Sequence, residues 1–220
     1  MHITAIERKR GSRRVTLRVD HCLTVPLSTE VLALLRLRAG DELTEQRLKE
    51  VREAQARHEA ISSALRLLSY RQRSERELRD RLARKRVPQP LCDEVIARLR
   101  ELSLIDDEAF ALSYVQARDQ TSPRGRRLLA QELRTKGIPR RAIEGPLAGV
   151  DESGAAYRAA ARRARSLAPQ THADFRRRLG GFLLRRGFDY EVSRATTDRL
   201  WREMGSDGAA SAAAGHISEA

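Results

Sequence analysis

Aromatic residues make up only 4% of this 220-residue chain. A surface that gripped single-stranded bases mainly by stacking would need more rings than that. Lysine is almost missing: of 43 Lys and Arg, only Lys9, Lys49, Lys85 and Lys136 are lysines. Cysteine is limited to Cys22 and Cys92, far apart and without metal spacing, which reads as free thiols in a reducing cytosol. The longest clean apolar run, Val31–Leu35, is far short of the roughly 20 residues that span a bilayer, and the start "MHITAIERKRGSRR" has no signal-peptide core. Both point to a cytoplasmic protein with no membrane partner. A phosphate-cradling G-x-x-x-x-G-K-[ST] loop is missing, the histidines are scattered, and Ser and His form no nucleophile motif. Asp106-Asp107-Glu108 is the one carboxylate cluster, and neighbouring helical residues point in different directions, so it reads as a helix cap. These absences leave a binding protein, with no catalytic residues, no metal and no cofactor expected.

What is present is positive charge. The formal net charge is +13 and the pI near 10.9, the electrostatic footprint of a polyanionic partner. The bias towards Arg and Ala also fits a GC-rich genome, but codon bias does not set the sign of the charge, since acidic codons remain available.

Residues 1–59 read as a small β/α segment. "ITAIE", "RRVTLRVD" and "HCLTVPL" alternate apolar and polar residues and predict two or three short strands, joined at "RKRGS" and "DH". Ser28 opens a helix that Gly40 would end, and Thr44 opens a charged helix running towards His58. From Ala60 the pattern is helical, and it repeats. "LRDRLARKRVP" (Leu78–Pro88), "LAQELRTKGIP" (Leu129–Pro139) and "LGGFLLRRGFD" (Leu179–Asp189) align on Leu82, Leu133 and Leu183, at intervals of 51 and 50 residues. In each, a Leu pair at i, i+4 precedes a basic residue (Lys85, Lys136, Arg186) and then an apolar one (Val87, Ile138, Phe188). The chain therefore reads as mainly α, with three tandem helical repeats over 60–119, 120–150 and 151–204 and an unstructured tail over 205–220. Gly137 and Gly187 suit a left-handed residue after a helix, and Arg86 stands in the matching place.

The candidate contact residues are the basic ones that recur with the repeat. They are Arg73, Arg76, Arg79, Arg84 and Lys85 in the first copy; Arg124, Arg126, Arg127, Arg134 and Lys136 in the second; and Arg176, Arg177, Arg185 and Arg186 in the third. Arginine favours bidentate contacts to phosphate and carboxylate. The plainer reading is a solvated face with ion pairs such as Glu75–Arg79 and Glu77–Arg81.

The stretch Leu99–Pro139 resembles the signature of the RecX regulatory proteins. The likeness is carried by "LIDDEAF", Tyr114 and Arg118, Gly125, and "ELRTKGI"; "ALRLLSYRQRSERELRDRL" and "FLLRRGFDYE" resemble the first and last repeats of that family. Ser103 departs from it, where a glycine usually precedes L-I-D, as does Arg86. The resemblance implies three three-helix, helix-turn-helix-like units in an elongated curved array. It also implies binding to the RecA recombinase filament, with single- and double-stranded DNA inside it, by a monomer that inhibits ATPase, strand exchange and the SOS coprotease. Arg118 joins the candidates on this ground. The alternative is direct binding to duplex DNA by a helix-turn-helix-like protein, against which stands the lack of a base-reading set of Asn, Gln and Arg on any helix.

Overall fold

The structure is a computed structural model that describes the chain apart from residues 9, 21, 168–170 and 216–220 and the side chains of 206–215. Three strands, β1 (Ile3–Arg8), β2 (Arg14–Val19) and β3 (Leu23–Ser28), form an antiparallel sheet in the order β1-β2-β3. Alternation puts Val15, Leu17, Val19, Val25 and Leu27 on its buried face. α1 (Thr29–Leu34) is capped by Ser28, whose Oγ accepts from the Val31 amide at 3.3 Å. It ends before the sequence pattern suggests, because Arg36 takes φ +52. Gly40 takes φ +93 further on, where its amide donates to the Ile3 carbonyl at 2.8 Å.

α2 (Glu45–Tyr70) is one helix of 26 residues, not the two expected on either side of residue 59. Thr44 caps it, and no Gly or Pro interrupts it. Its first half, through Leu48 and Val51, packs under the sheet, and its second, through Ala60 and Ala64, closes the core of the first repeat. α3 (Glu75–Arg84) and α4 (Gln89–Glu101) complete that core with Leu78, Leu82, Val95, Ile96 and Leu99.

α5 (Asp107–Thr121), α6 (Arg126–Thr135) and α7 (Arg140–Ala148) form the second repeat around Phe110, Val115, Leu129, Leu133, Ile138 and Ile143. α5 thus belongs here and not at the end of the first repeat, because its apolar stripe is buried against α6 and α7. Asp106 caps it as expected, accepting from the Glu108 and Ala109 amides at 2.8 and 3.1 Å. α8 (Glu152–Ser166), α9 (His172–Arg185) and α10 (Tyr190–Gly215) form the third around Ala156, Ala160, Phe175, Leu179, Leu183 and Phe188. The stretch "LAPQTHAD" (167–174) reads from sequence as a loop; 168–170 lie outside the described residues, and α9 begins within it at His172, with Thr171 as its cap. α10 runs on to Gly215 through residues that the sequence reading assigns to the tail; alanine, the best helix former, is frequent there. The remainder of that tail, 216–220, lies outside the described residues.

The chain divides into two compact units. One holds Met1–Arg73 with Glu77–Ile105; the other holds Ser74–Arg76 with the chain from Asp106 onwards.

Candidate partner-binding surface

The middle helices α3, α6 and α9 carry most of the candidate cations, and all three end in the same turn. The amides of Val87, Ile138 and Phe188 reach back to the carbonyls of Leu82, Leu133 and Leu183 at 3.2, 3.1 and 3.3 Å. The residue between takes a left-handed conformation: Arg86 at φ +62, Gly137 at +81 and Gly187 at +85. Leu82, Leu133 and Leu183 are fully buried, so the repeated anchors fix the repeat's packing as well as its spacing.

Two of these turns are closely covered. Gly125 donates its amide to the Arg186 carbonyl at 2.9 Å, and a Cβ on Gly187 would lie 2.6 Å from the Leu128 nitrogen. Ser74 Oγ donates to the Lys136 carbonyl at 2.7 Å, and a Cβ on Gly137 would run into the Arg76 side chain. The third turn is open: Arg86 is exposed. Glycine therefore stands where another segment crosses the turn, and arginine where none does.

Around α5 and α6 the family-like signature residues meet. Tyr114 Oη donates to Glu132 Oε2 at 2.8 Å, and Arg118 Nε donates to the same oxygen at 3.2 Å. Arg124 pairs with Glu132 as well, and its pKa is lowered, first by burial and next by the Arg118 charge. Lys136 Nζ lies 5.3 Å from the Tyr114 ring centre. In "ELRTKGI", Glu132 thus joins the network, Leu133 and Ile138 fill the core, and Lys136 and Gly137 form the covered turn. In "LIDD", Ile105 is buried, Asp106 caps α5, and Asp107 Oδ1 accepts from the Glu75 amide at 2.9 Å. The signature is in large part a description of how this repeat holds itself together.

Several candidates are engaged internally. Arg73 Nε donates to the Leu67 carbonyl at 3.0 Å, and burial lowers its pKa. Arg79 pairs with Asp93 on α4, and Glu77 takes Arg71 at 2.8 Å. Lys85 Nζ donates to Ser63 Oγ at 2.9 Å. Arg126 donates to the Val150 carbonyl at 2.7 Å and faces Glu152, while Arg127 reaches the Leu184 carbonyl at 3.2 Å. Arg176 lies 3.4 Å from Asp198. Arg186 donates to Ser122 Oγ at 3.2 Å and stacks over Phe182 at 4.7 Å. Arg76, Arg134 and Arg185 are exposed and form no ion pair among the described residues. Arg76, Arg127 and Arg177 occupy one register position on α3, α6 and α9, and all three are exposed. No helix among the described residues is long and apolar enough to cross a membrane.

These features define a protein of tandem three-helix repeats behind a small antiparallel sheet, with an arginine-rich exterior. Residues 60–99, 106–145 and 151–196 match, in order, the first, second and third three-helix domains of RecX. The chain is 35% identical over 147 residues to the "Regulatory protein RecX" of Chlorobium limicola, across 67% of this chain and 92% of that one. The protein of that name from Geobacillus kaustophilus is 35% identical over 173 residues, 77% of this chain but only 64% of its own length. A crystal structure described as regulatory protein RecX superposes with a TM-score of 0.70 at 28% identity, covering 90% of this chain and 98% of the other. Another, RecX from Lactobacillus salivarius, gives 0.63 at 25% identity over 67% and 97%. The chain belongs to the RecX family.

Proposed function

We propose that this chain binds the filament of a RecA-type recombinase and suppresses its ATP turnover, strand exchange and SOS coprotease activity, acting by binding and without chemistry of its own. The reading places it in the cytoplasm as a monomer, in DNA repair and the control of recombination. Membership of the RecX family carries it. The recurrence of an exposed arginine at one register of three successive middle helices supports it, because a helical filament presents the same contact at regular intervals. Arg76, Arg134 and Arg185 have neither an ion pair nor a side-chain hydrogen bond to give up among the described residues, and so are among the cheapest candidates to engage. The remaining candidates, Arg73, Arg79, Lys85, Arg118, Arg124, Arg126, Arg127, Lys136, Arg176 and Arg186, would contact a partner only while keeping or exchanging an internal one.

The test is direct. A RecA-type recombinase is assembled on single-stranded DNA with ATP, and the protein is added below stoichiometry. ATP turnover falls and filaments shorten; unchanged turnover and length would end the reading. A sharp sequence preference in a duplex selection would favour direct DNA recognition instead.

A further inference from the structure

The N-terminal unit carries a groove that the repeat comparison does not reveal. It has a volume of about 680 Å³ and is open to solvent. One wall is the start of β2, with Arg13 and Arg14. The floor is a single face of α2, because Gln55, Glu59, Ser62 and Arg66 follow one another at helical spacing. The other wall is the turn after α3, with Lys85 and Arg86.

Five cations line it against two carboxylates, Glu30 and Glu59. Glu59 accepts from Gln55 Nε2 at 2.9 Å, and Glu30 from Thr29 Oγ1 at 3.1 Å. Arg13, Arg14, Arg66 and Arg86 are exposed and form no ion pair among the described residues. What distinguishes them is their convergence on one groove, whereas Arg57 is taken by Glu94 at 2.5 Å and Arg47 by Glu50 at 2.8 Å. Their backbone is fixed: the Arg13 carbonyl accepts from the Thr29 amide at 2.9 Å, and Arg14 is in register opposite Ser28. Arg86 is held at φ +62, a conformation that a glycine would adopt freely.

We infer that this groove binds the phosphodiester backbone of a nucleic-acid strand, independently of its sequence. Clustered unpaired guanidiniums match successive phosphates in charge and hydrogen-bonding geometry. Serine hydroxyls at Ser62 and Ser63 add neutral donors, and no Phe, Tyr or Trp lines the groove to stack bases, His58 being the only ring in its lining. The site rests on neither the recombinase reading nor the register of the three repeats.

The experiment uses the full chain and two fluorescent probes, a 20-nucleotide oligo-dT and a 20-base-pair duplex, without recombinase. Anisotropy titrations across a salt series compare the parent with R13Q/R14Q/R66Q/R86Q. Four lost phosphate contacts lower the slope of log K against log salt by about 3 and weaken binding at least about tenfold at physiological salt. A slope within one of the parent's overturns the assignment. The double variant R14Q/R66Q, which touches only a strand surface and a helix surface, guards against misfolding and loses about half as much slope. If oligonucleotide binding is unchanged while binding to a recombinase filament weakens, the groove is a protein contact and the assignment fails. Because the probes contain no recombinase, a negative result leaves the proposed function standing, and a positive one does not support it.

Discussion

At Arg86 a non-glycine residue sits in the left-handed region with no segment crossing its turn, and Ser103, after α4, does the same at φ +53. The left-handed conformation costs an L-residue about 1–2 kcal/mol, partly returned because glycine loses more entropy on folding. Arg86→Gly and Ser103→Gly should therefore each stabilise the chain by about 0.5–1 kcal/mol in urea unfolding. No gain in the midpoint at either site would show that the turn is not strained. The reverse changes are costly. Gly137→Ala combines φ +81 with a clash against Arg76, and Gly125→Ala would drive a methyl group onto the Gly187 carbonyl. Each should destabilise by about 2 kcal/mol or more in the same assay, as overpacking and misplaced backbone do. The pair of Ser103 and Arg86, conspicuous as departures from the family pattern, are thus sequence exceptions without a conformational exception: both backbones keep the glycine-like geometry.

At the scale of elements, Glu132 holds Tyr114, Arg118 and Arg124 together across α5 and α6 while only 16% of its side chain is exposed. Glu132→Ala would leave two arginines facing each other without their shared partner, and should cost about 2–3 kcal/mol. Glu101→Ala, at an exposed i, i+3 pair with Arg98, should cost under about 0.5 kcal/mol. Equal losses in denaturant unfolding would reduce the network to a surface pair. A second junction reports on pH. Glu203 on α10 is held below the ordinary carboxylate range, first by its hydrogen bond with Arg199 and next by that from Tyr157 at 2.9 Å. A carboxyl depressed in the folded state adds stability above its unfolded pKa and loses it as pH falls through the folded one. The melting temperature of Glu203→Gln should therefore fall less steeply than the parent's below about pH 4.5, and parallel acid limbs would contradict the depression. The repeats were readable because buried leucines must recur at helical spacing, and Leu82, Leu133 and Leu183 are all buried. The Glu132 network was not, since Arg118 and Glu132 lie on different helices and only folding joins them. Nor was the continuity of α2, where a change of composition near residue 59 marks a change in what the helix packs against, without a break. The basic groove was hidden for the same reason as the network: Arg13, Arg66 and Arg86 are remote in sequence, and only folding brings them to one groove.

For the molecule as a whole, the question is whether three similar units act together on one partner. Arg76, Arg127 and Arg177 offer a controlled test, because they recur at one register and lie on separate middle helices. Arg127 and Arg177 make only surface contacts, to the Leu184 carbonyl and to Asp174 at 2.6 Å, so glutamine at each should leave folding intact. If each unit contributes a weak contact, a single Arg→Gln change lowers potency against the recombinase filament by no more than about threefold, since the other units hold the chain at high effective concentration. Removing all three should multiply the losses, to about 10–30-fold, with the melting temperature unchanged. A triple variant no weaker than the weakest single one would mean that one unit does the binding and the tandem order serves the fold alone.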